Sequence, residues 1–304
     1  MLVKEKILVY GAGSGGRKYY SNQDQYDIIA FIDKDEKKQG DFLYELEIIS
    51  PMTIESYIKD KKINKIVIAS MFYKEIVKEL TEKHLIDRDL IIGAPKRFLV
   101  DRAITFENKE KYDYSKRILT YFLELFNESK IKYYLDFGTL LGFKRDGDFI
   151  PWDDDIDFSI QREDMEKLID FLSLNLDKIN EFLRGNWTIS TVKDKKHKIV
   201  EVKLEPTLYV DDEKYVSVDI YVWDVEGEEI YNRVNSASIK HFQGYEILNV
   251  FGVNARVYHE VDGYLTSTYG DWKTPNPNMS FGQHNDIGRF NSDDIGKEYR
   301  EPLK

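Results

Sequence analysis

Residues 7–16 read ILVYGAGSGG, and residues 28–33 read IIAFID. A short apolar run delivers the chain into glycines at 11, 13 and 16, and a helical pattern starts at Arg17. In a dinucleotide-binding turn each glycine has its own task. Gly11 permits the tight turn, Gly13 lets backbone approach a pyrophosphate, and Gly16 lets helix and strand pack closely. The start of the helix offers unpaired N–H groups to an anion. Asp33 ends the second apolar run, where an acid can accept from a ribose hydroxyl. The same glycines would also serve a turn that binds nothing, in a domain acting as scaffold. Strand, glycine turn, helix, strand and acid in this order predict a Rossmann-like fold.

Working outward, residues 65–70 (KIVIAS) form a third strand-like run. Ile76, Val77 and Leu80 then fall at helical spacing. Strands apolar on both faces and alternating with helices indicate a parallel sheet covered on both sides. Periodicity is lost over residues 95–110, which places a boundary near residue 104. The expected organisation is a Rossmann-like domain over 1–104 and a second domain over 105–304. That second part begins with Tyr114, Ile118, Phe122 and Leu125 on one helical face. Strand-like runs follow at 133–137, 150–160, 187–192, 199–204 and 216–222, with a helical pattern over 163–183. A hairpin is expected around Gly252, a short helix over 264–269, and an irregular tail after Gly270.

Residues 150–160 read IPWDDDIDFSI. On a strand alternate side chains share a face, so Asp153, Asp155 and Asp157 would point together and Asp154 away. Three like charges on one face repel, and fold stability gives no reason to gather them. A divalent cation does, because hard oxygen ligands suit Mg²⁺ or Mn²⁺ bridging to phosphates. A solvated acidic edge is the plainer reading of a charge run. Here, however, the run lies between apolar residues and follows a glycine-rich segment. In that segment Gly138, Thr139 and Gly142 allow close backbone approach, and Lys144 and Arg145 can reach anionic oxygens.

Two resemblances follow from these strings. YGAGSGGRKYY with IIAFIDKDEKKQG resembles the N-terminal nucleotide-sugar-binding domains of bacterial polysaccharide enzymes, over about residues 5–95. It implies a nucleotide or nucleotide-sugar held by Gly11, Gly13, Gly16 and Asp33. GTLLGFKRDGDFIPWDDDIDFSI, with VSVDIYVWD around Asp219 and YLTSTYGDWKTPNP around Asp271 and Trp272, resembles the LicD family over about residues 115–280. The implied fold class is α/β: an N-terminal Rossmann-like parallel sheet followed by an α+β nucleotidyltransferase-fold domain.

The implied activity is transfer of phosphocholine, glycerol phosphate or ribitol phosphate from a CDP-linked donor. The acceptor would be a cell-surface or lipid-linked glycan of capsule, teichoic acid or lipopolysaccharide. Asp155, Asp157 and Asp219 would hold Mg²⁺ or Mn²⁺, with Asp153 as a second candidate base or ligand. Gly138, Thr139, Lys144 and Arg145 would meet the diphosphate, and Asp271 and Trp272 would shape the pocket. Two alternatives stay open: a nucleotidyltransferase moving a nucleoside monophosphate, and a non-catalytic nucleotide-sugar-binding assembly subunit.

Composition narrows the rest. The 304 residues carry 44 Lys+Arg against 55 Asp+Glu, net −11, which argues against nucleic acid as a bulk partner. Cysteine is absent, which removes disulfides, thiolate zinc sites and cysteine nucleophiles. No run approaches the ~18 apolar residues of a membrane span. With no targeting segment evident, a cytoplasmic placement is expected, with a lipid-linked acceptor able to draw the protein to the inner membrane face. Homo-oligomerisation stays open. Tyr57 and Lys61 form a YxxxK, read as chance. The five histidines lack ligand spacing, with His284 in the tail as a candidate acceptor contact. Lys203 and Glu205 alternate on a strand, the usual sign of a solvent face.

Overall fold

The computed structural model describes residues 4–70, 72–194, 196–207, 209–210, 213–233, 235–279 and 299–303. His284 lies outside them. The chain divides into two compact units. The first is Met1–Asp101 with Asn276–His284, and the second is Arg102–Pro275 with Asn285–Lys304. The break thus falls at 101/102, and part of the tail groups with the first unit.

The first unit is a six-stranded sheet. Its strands are β1 (Lys6–Tyr10), β2 (Asp27–Ile32), β3 (Phe42–Leu43), β4 (Leu46–Ile49), β5 (Lys65–Ile68) and β6 (Ile91–Gly93), in the order β3-β4-β2-β1-β5-β6. All pairs are parallel except the β3–β4 hairpin. Helices α1 (Ser14–Asn22), α2 (Ile54–Lys61) and α3 (Tyr73–Lys78) connect them. Strand alternation splits the apolar residues between two layers. Ile7, Val9, Phe31 and Val67 pack with Tyr19 of α1, while Leu8, Ala30, Ile32, Ile66 and Ile68 pack with Ile54 of α2 and Ile76 of α3. Each Val, Leu, Ile or Phe among them contributes roughly 1.5–3 kcal/mol when fully buried.

The second unit opens with α4 (Lys109–Glu128). Asn108 caps it by accepting from the Glu110 and Lys111 N–H groups. Next come β7 (Tyr133–Leu135), α5 (Phe137–Arg145), β8 (Ile156–Gln161), α6 (Met165–Leu183), β9 (Trp187–Lys193) and β10 (Ile199–Pro206). A two-stranded ribbon follows, β11 (Tyr209–Val210) with β12 (Glu213–Lys214). The chain continues through β13 (Val218–Glu226), β14 (Glu229–Tyr231), β15 (Ser236–Ser238), the hairpin β16 (Tyr245–Val250) with β17 (Val253–Tyr258), α7 (Val261–Tyr269) and β18 (Tyr299–Pro302).

The main sheet of this unit runs β15-β14-β13-β10-β9-β18, and β8 joins it by pairing parallel to β13, with β7 beyond. One face is apolar: Phe158 of β8 meets Phe126 of α4 edge-on at 5.2 Å, with Ile220 and Val202 on the adjoining strands. The opposite face carries the charged residues. The expected strand over 150–160 starts only at Ile156, so Asp153, Asp154 and Asp155 precede it and the alternation rule does not govern them. Among the described residues no helix is long and apolar enough to cross a membrane.

Candidate active site

Register builds the site. Across β10, β13 and β8, Lys203 pairs with Asp219, and Asp219 with Asp157. Because paired residues share a face, these three side chains form one row. All are buried. In the next row lie Glu201, Tyr221 and Ser159. Lys203 and Glu205, expected on a solvent face, are 9% and 5% exposed. The correction has a physical reason: period-two charge marks a polar face, and this one is buried. Lys203 Nζ lies 2.5 Å from Asp219 Oδ2 and 2.7 Å from Glu201 Oε1. Burial pulls against the ammonium, but Asp219 and Glu201 outweigh it, so the Lys203 pKa is raised. For Asp219, burial pushes the carboxyl up, Lys203 pulls it down, and Glu201 and Asp155 push it up, leaving it raised. Asp219 Oδ1 is buried with no hydrogen-bond partner among the described residues.

Beside this row, oxygens of Asp153, Asp154 and Asp155 lie within 4.8 Å of one another. This set shares only Asp155 with the expected ligand trio; it adds Asp153 and Asp154, and it does not include Asp157 or Asp219. The Asp153 carboxylate sits against Gly138 in the first turn of α5. A Cβ on Gly138 would lie 2.0 Å from Asp153 Oδ2. The close approach reserved for a diphosphate is therefore made by the chain's own acid, at a helix end that favours negative charge. Thr139 is also committed inward: its Oγ1 accepts from the Asp157 N–H at 2.9 Å. Carboxylate oxygens gathered in this way are the hard donors that a divalent ion takes.

Asp136 was missed by sequence reasoning. It caps α5 and is fully buried. Its carboxylate accepts from Ser159 Oγ, from Tyr264 OH at 2.6 Å, Tyr258 OH at 2.8 Å, the Phe137 N–H at 2.7 Å and Trp223 Nε1 at 3.4 Å. Its own N–H donates to the Asp157 carbonyl at 3.1 Å. Burial raises its pKa despite these donors. Phe137, which follows, has φ +40°, a strained value for a side chain that large. The only sequence signal for Asp136 was its place before a helix start.

Lys144 and Arg145 lie at the other end of α5 from Gly138, about 9–10 Å along the axis at 1.5 Å per residue. Lys144 pairs with Asp262 at 2.9 Å and Arg145 with Asp146 at 2.7 Å. They are thus placed as ion pairs at the helix C-terminus. Asp271 is exposed and accepts from Thr274 Oγ1. Trp272 is buried, with its indole N–H donating to Thr266 Oγ1 at 3.2 Å, so packing occupies the ring.

In the first unit Gly11 has φ +111°, and a Cβ on Gly16 would fall 1.9 Å from the Gly11 carbonyl. Space beside Gly13 is open. Gly15, not singled out from sequence, approaches the Ala69 carbonyl equally tightly, a Cβ there lying 2.3 Å from it. Asp33 accepts from the Ala12 N–H, the Asp35 N–H and Lys38 Nζ. Burial raises its pKa, but these three donors prevail and lower it.

Residues 130–261 match the family profile described as LicD/FKTN/FKRP, nucleotidyltransferase domain, and residues 3–92 match C2185-like, N-terminal. Lipopolysaccharide cholinephosphotransferase LicD of Haemophilus influenzae is 47% identical over 53 residues, which are 17% of this chain and 20% of that protein. The chain therefore spans about a fifth of the length of that curated relative. UDP-D-quinovosamine 4-dehydrogenase from Vibrio fischeri is 29% identical, covering 31% of this chain and 80% of its own, with TM-score 0.26. GenD2 from gentamicin A biosynthesis, in complex with NAD, is 10% identical, covering 100% and 97%, with TM-score 0.31.

Proposed function

Because residues 130–261 belong to the LicD/FKTN/FKRP nucleotidyltransferase family, we propose that the protein transfers a phospho-alcohol from a CDP-linked donor to a glycan hydroxyl. The reaction would depend on Mg²⁺ or Mn²⁺. The observation that carries this reading is the register of Asp157 and Asp219 on β8 and β13, beside the Asp153–Asp155 loop. Asp155, Asp157 and Asp219 would hold the ion, with Asp154 at hand. A divalent cation there would supply charge neutralisation for the donor diphosphate and the transition state.

The chain's own residues do the rest. Thr139 fixes the backbone of Asp157, and Asp136 ties α5 to the same strand. Asp219 would offer Oδ1 to the ion, which leaves Asp153 as the candidate to accept the proton of the incoming hydroxyl. The glycine turn of the first unit, with open space beside Gly13, would take a nucleotide or nucleotide-sugar. The family's nucleotidyltransferase description favours one second reading, transfer of a nucleoside monophosphate.

The test is incubation with CDP-choline, CDP-glycerol or CDP-ribitol, Mg²⁺ and candidate glycans, with CMP as readout. CMP release lost in Asp157→Ala supports the proposal. No CMP from any donor overturns it. Product carrying the nucleotide rather than the alcohol phosphate selects the second reading.

A further inference from the structure

β10 and the loop between β14 and β15 supply charges that the sequence reading did not use. A buried line of alternating sign starts at Arg233, whose guanidinium donates to Glu201 Oε2 at 2.6 Å. Glu201 Oε1 lies 2.7 Å from Lys203 Nζ, which in turn lies 2.5 Å from Asp219 Oδ2. Glu201 is 1% exposed, and Arg233 and Lys203 are 8% and 9% exposed. Burying four ionised groups is costly and contributes little net stability over an apolar replacement. Stability alone therefore gives a weak reason for the line.

Its geometry gives a better one. β13 lies between β10 and β8, so Lys203 engages Asp219 from the strand opposite Asp157. One oxygen of Asp219 is thereby committed to Lys203, and the other, Oδ1, is left buried without a hydrogen-bond partner among the described residues. A carboxylate held by one oxygen with the other open is oriented for a single ligand. A ligand's outer partners generally fix its orientation in this way, and losing them weakens metal affinity by roughly 10–100-fold.

Resting on the metal-dependent reading above, we propose that Lys203 is a positioning residue. It pins Asp219 Oδ2 so that Oδ1 faces the ion, and Arg233 steadies it through Glu201. The effect then decays along the line. It is strongest at Lys203, which touches Asp219, and weaker at Arg233, two contacts away.

The test is Mn²⁺ binding to the full-length protein, followed by electron paramagnetic resonance, for Lys203→Met, Arg233→Met and Arg162→Met. Arg162 pairs with Asp224 farther along β13, so its variant removes an ion pair on the same strand without touching the line. The expected result is a Kd raised at least tenfold for Lys203→Met, raised less for Arg233→Met and unchanged for Arg162→Met. Thermal denaturation alongside shows whether stability loss tracks these shifts. Equal shifts in all three variants, or none in Lys203→Met, overturn the proposal. If Lys203→Met does not fold, an Arg233→Met affinity equal to that of Arg162→Met overturns it. Asp157→Ala separates the two claims: unchanged Mn²⁺ binding there contradicts the metal site itself, whatever Lys203 does.

Discussion

Replacing Gly138 with Ala should separate activity from stability. The added methyl would lie 2.0 Å from Asp153 Oδ2, where ordinary contact starts at 3.4 Å, so the oxygen must retreat by about 1.4 Å. The Asp153 backbone cannot yield easily. Its N–H donates to the Ile150 carbonyl at 3.0 Å, and its carbonyl accepts from the Phe106 N–H at 2.9 Å. The carboxylate must therefore turn. Ala improves helix propensity over Gly by about 0.8–1 kcal/mol. Moving the acid off the α5 N-terminus costs about 0.3–2 kcal/mol. These nearly cancel, so denaturation should find a net change within about 1 kcal/mol. Catalysis has no such compensation: a 1 Å misplacement can cost about 100-fold. CMP release and Mn²⁺ titration should fall together while the fold holds. Activity and affinity within about twofold of the parent would show that the Asp153 carboxylate is not needed in place.

Two further outcomes follow from buried carboxylates. Asp136→Asn leaves five donors facing one acceptor oxygen and an amide that also donates, so urea denaturation should show a loss of about 3 kcal/mol. A loss under about 0.5 kcal/mol would contradict its role as the hub of α5, β8, β17 and α7. Asp33 has its pKa lowered from 3.8, so its contribution is present above that value and is lost as pH falls through the lower folded-state value. Asp33→Asn should be less stable than the parent at pH 6, and the gap should close below about pH 4. A gap that does not narrow as pH falls below about 4 would contradict this.

The fold was legible wherever backbone geometry dictates residue type. Gly11 must adopt a positive φ and Gly16 must let a carbonyl in, so the glycine turn announced the parallel sheet. Asp157 and Asp219 were legible as acids flanked by apolar neighbours on strands. The loop before β8 was not, because the alternation assumed for 150–160 needs a strand, and the strand starts at Ile156. Lys203 was misread because a charged period-two pattern looks the same on a covered face as on a wet one. Asp136 could not be seen as a hub, since Tyr258 and Tyr264 reach it from far along the chain. Lys144 and Arg145 follow Gly138 closely in sequence, and helix rise carries them to the opposite end of α5.

If acids of β8, β13 and the loop before β8 jointly bind a divalent ion, Mn²⁺ titration of the parent, Asp157→Ala and Asp219→Ala will show it. The expected result is saturable binding by the parent and at least tenfold weaker binding by each variant, with denaturation confirming that all three are folded. Parent-like affinity in both folded variants, or no saturable binding by the parent, would contradict it.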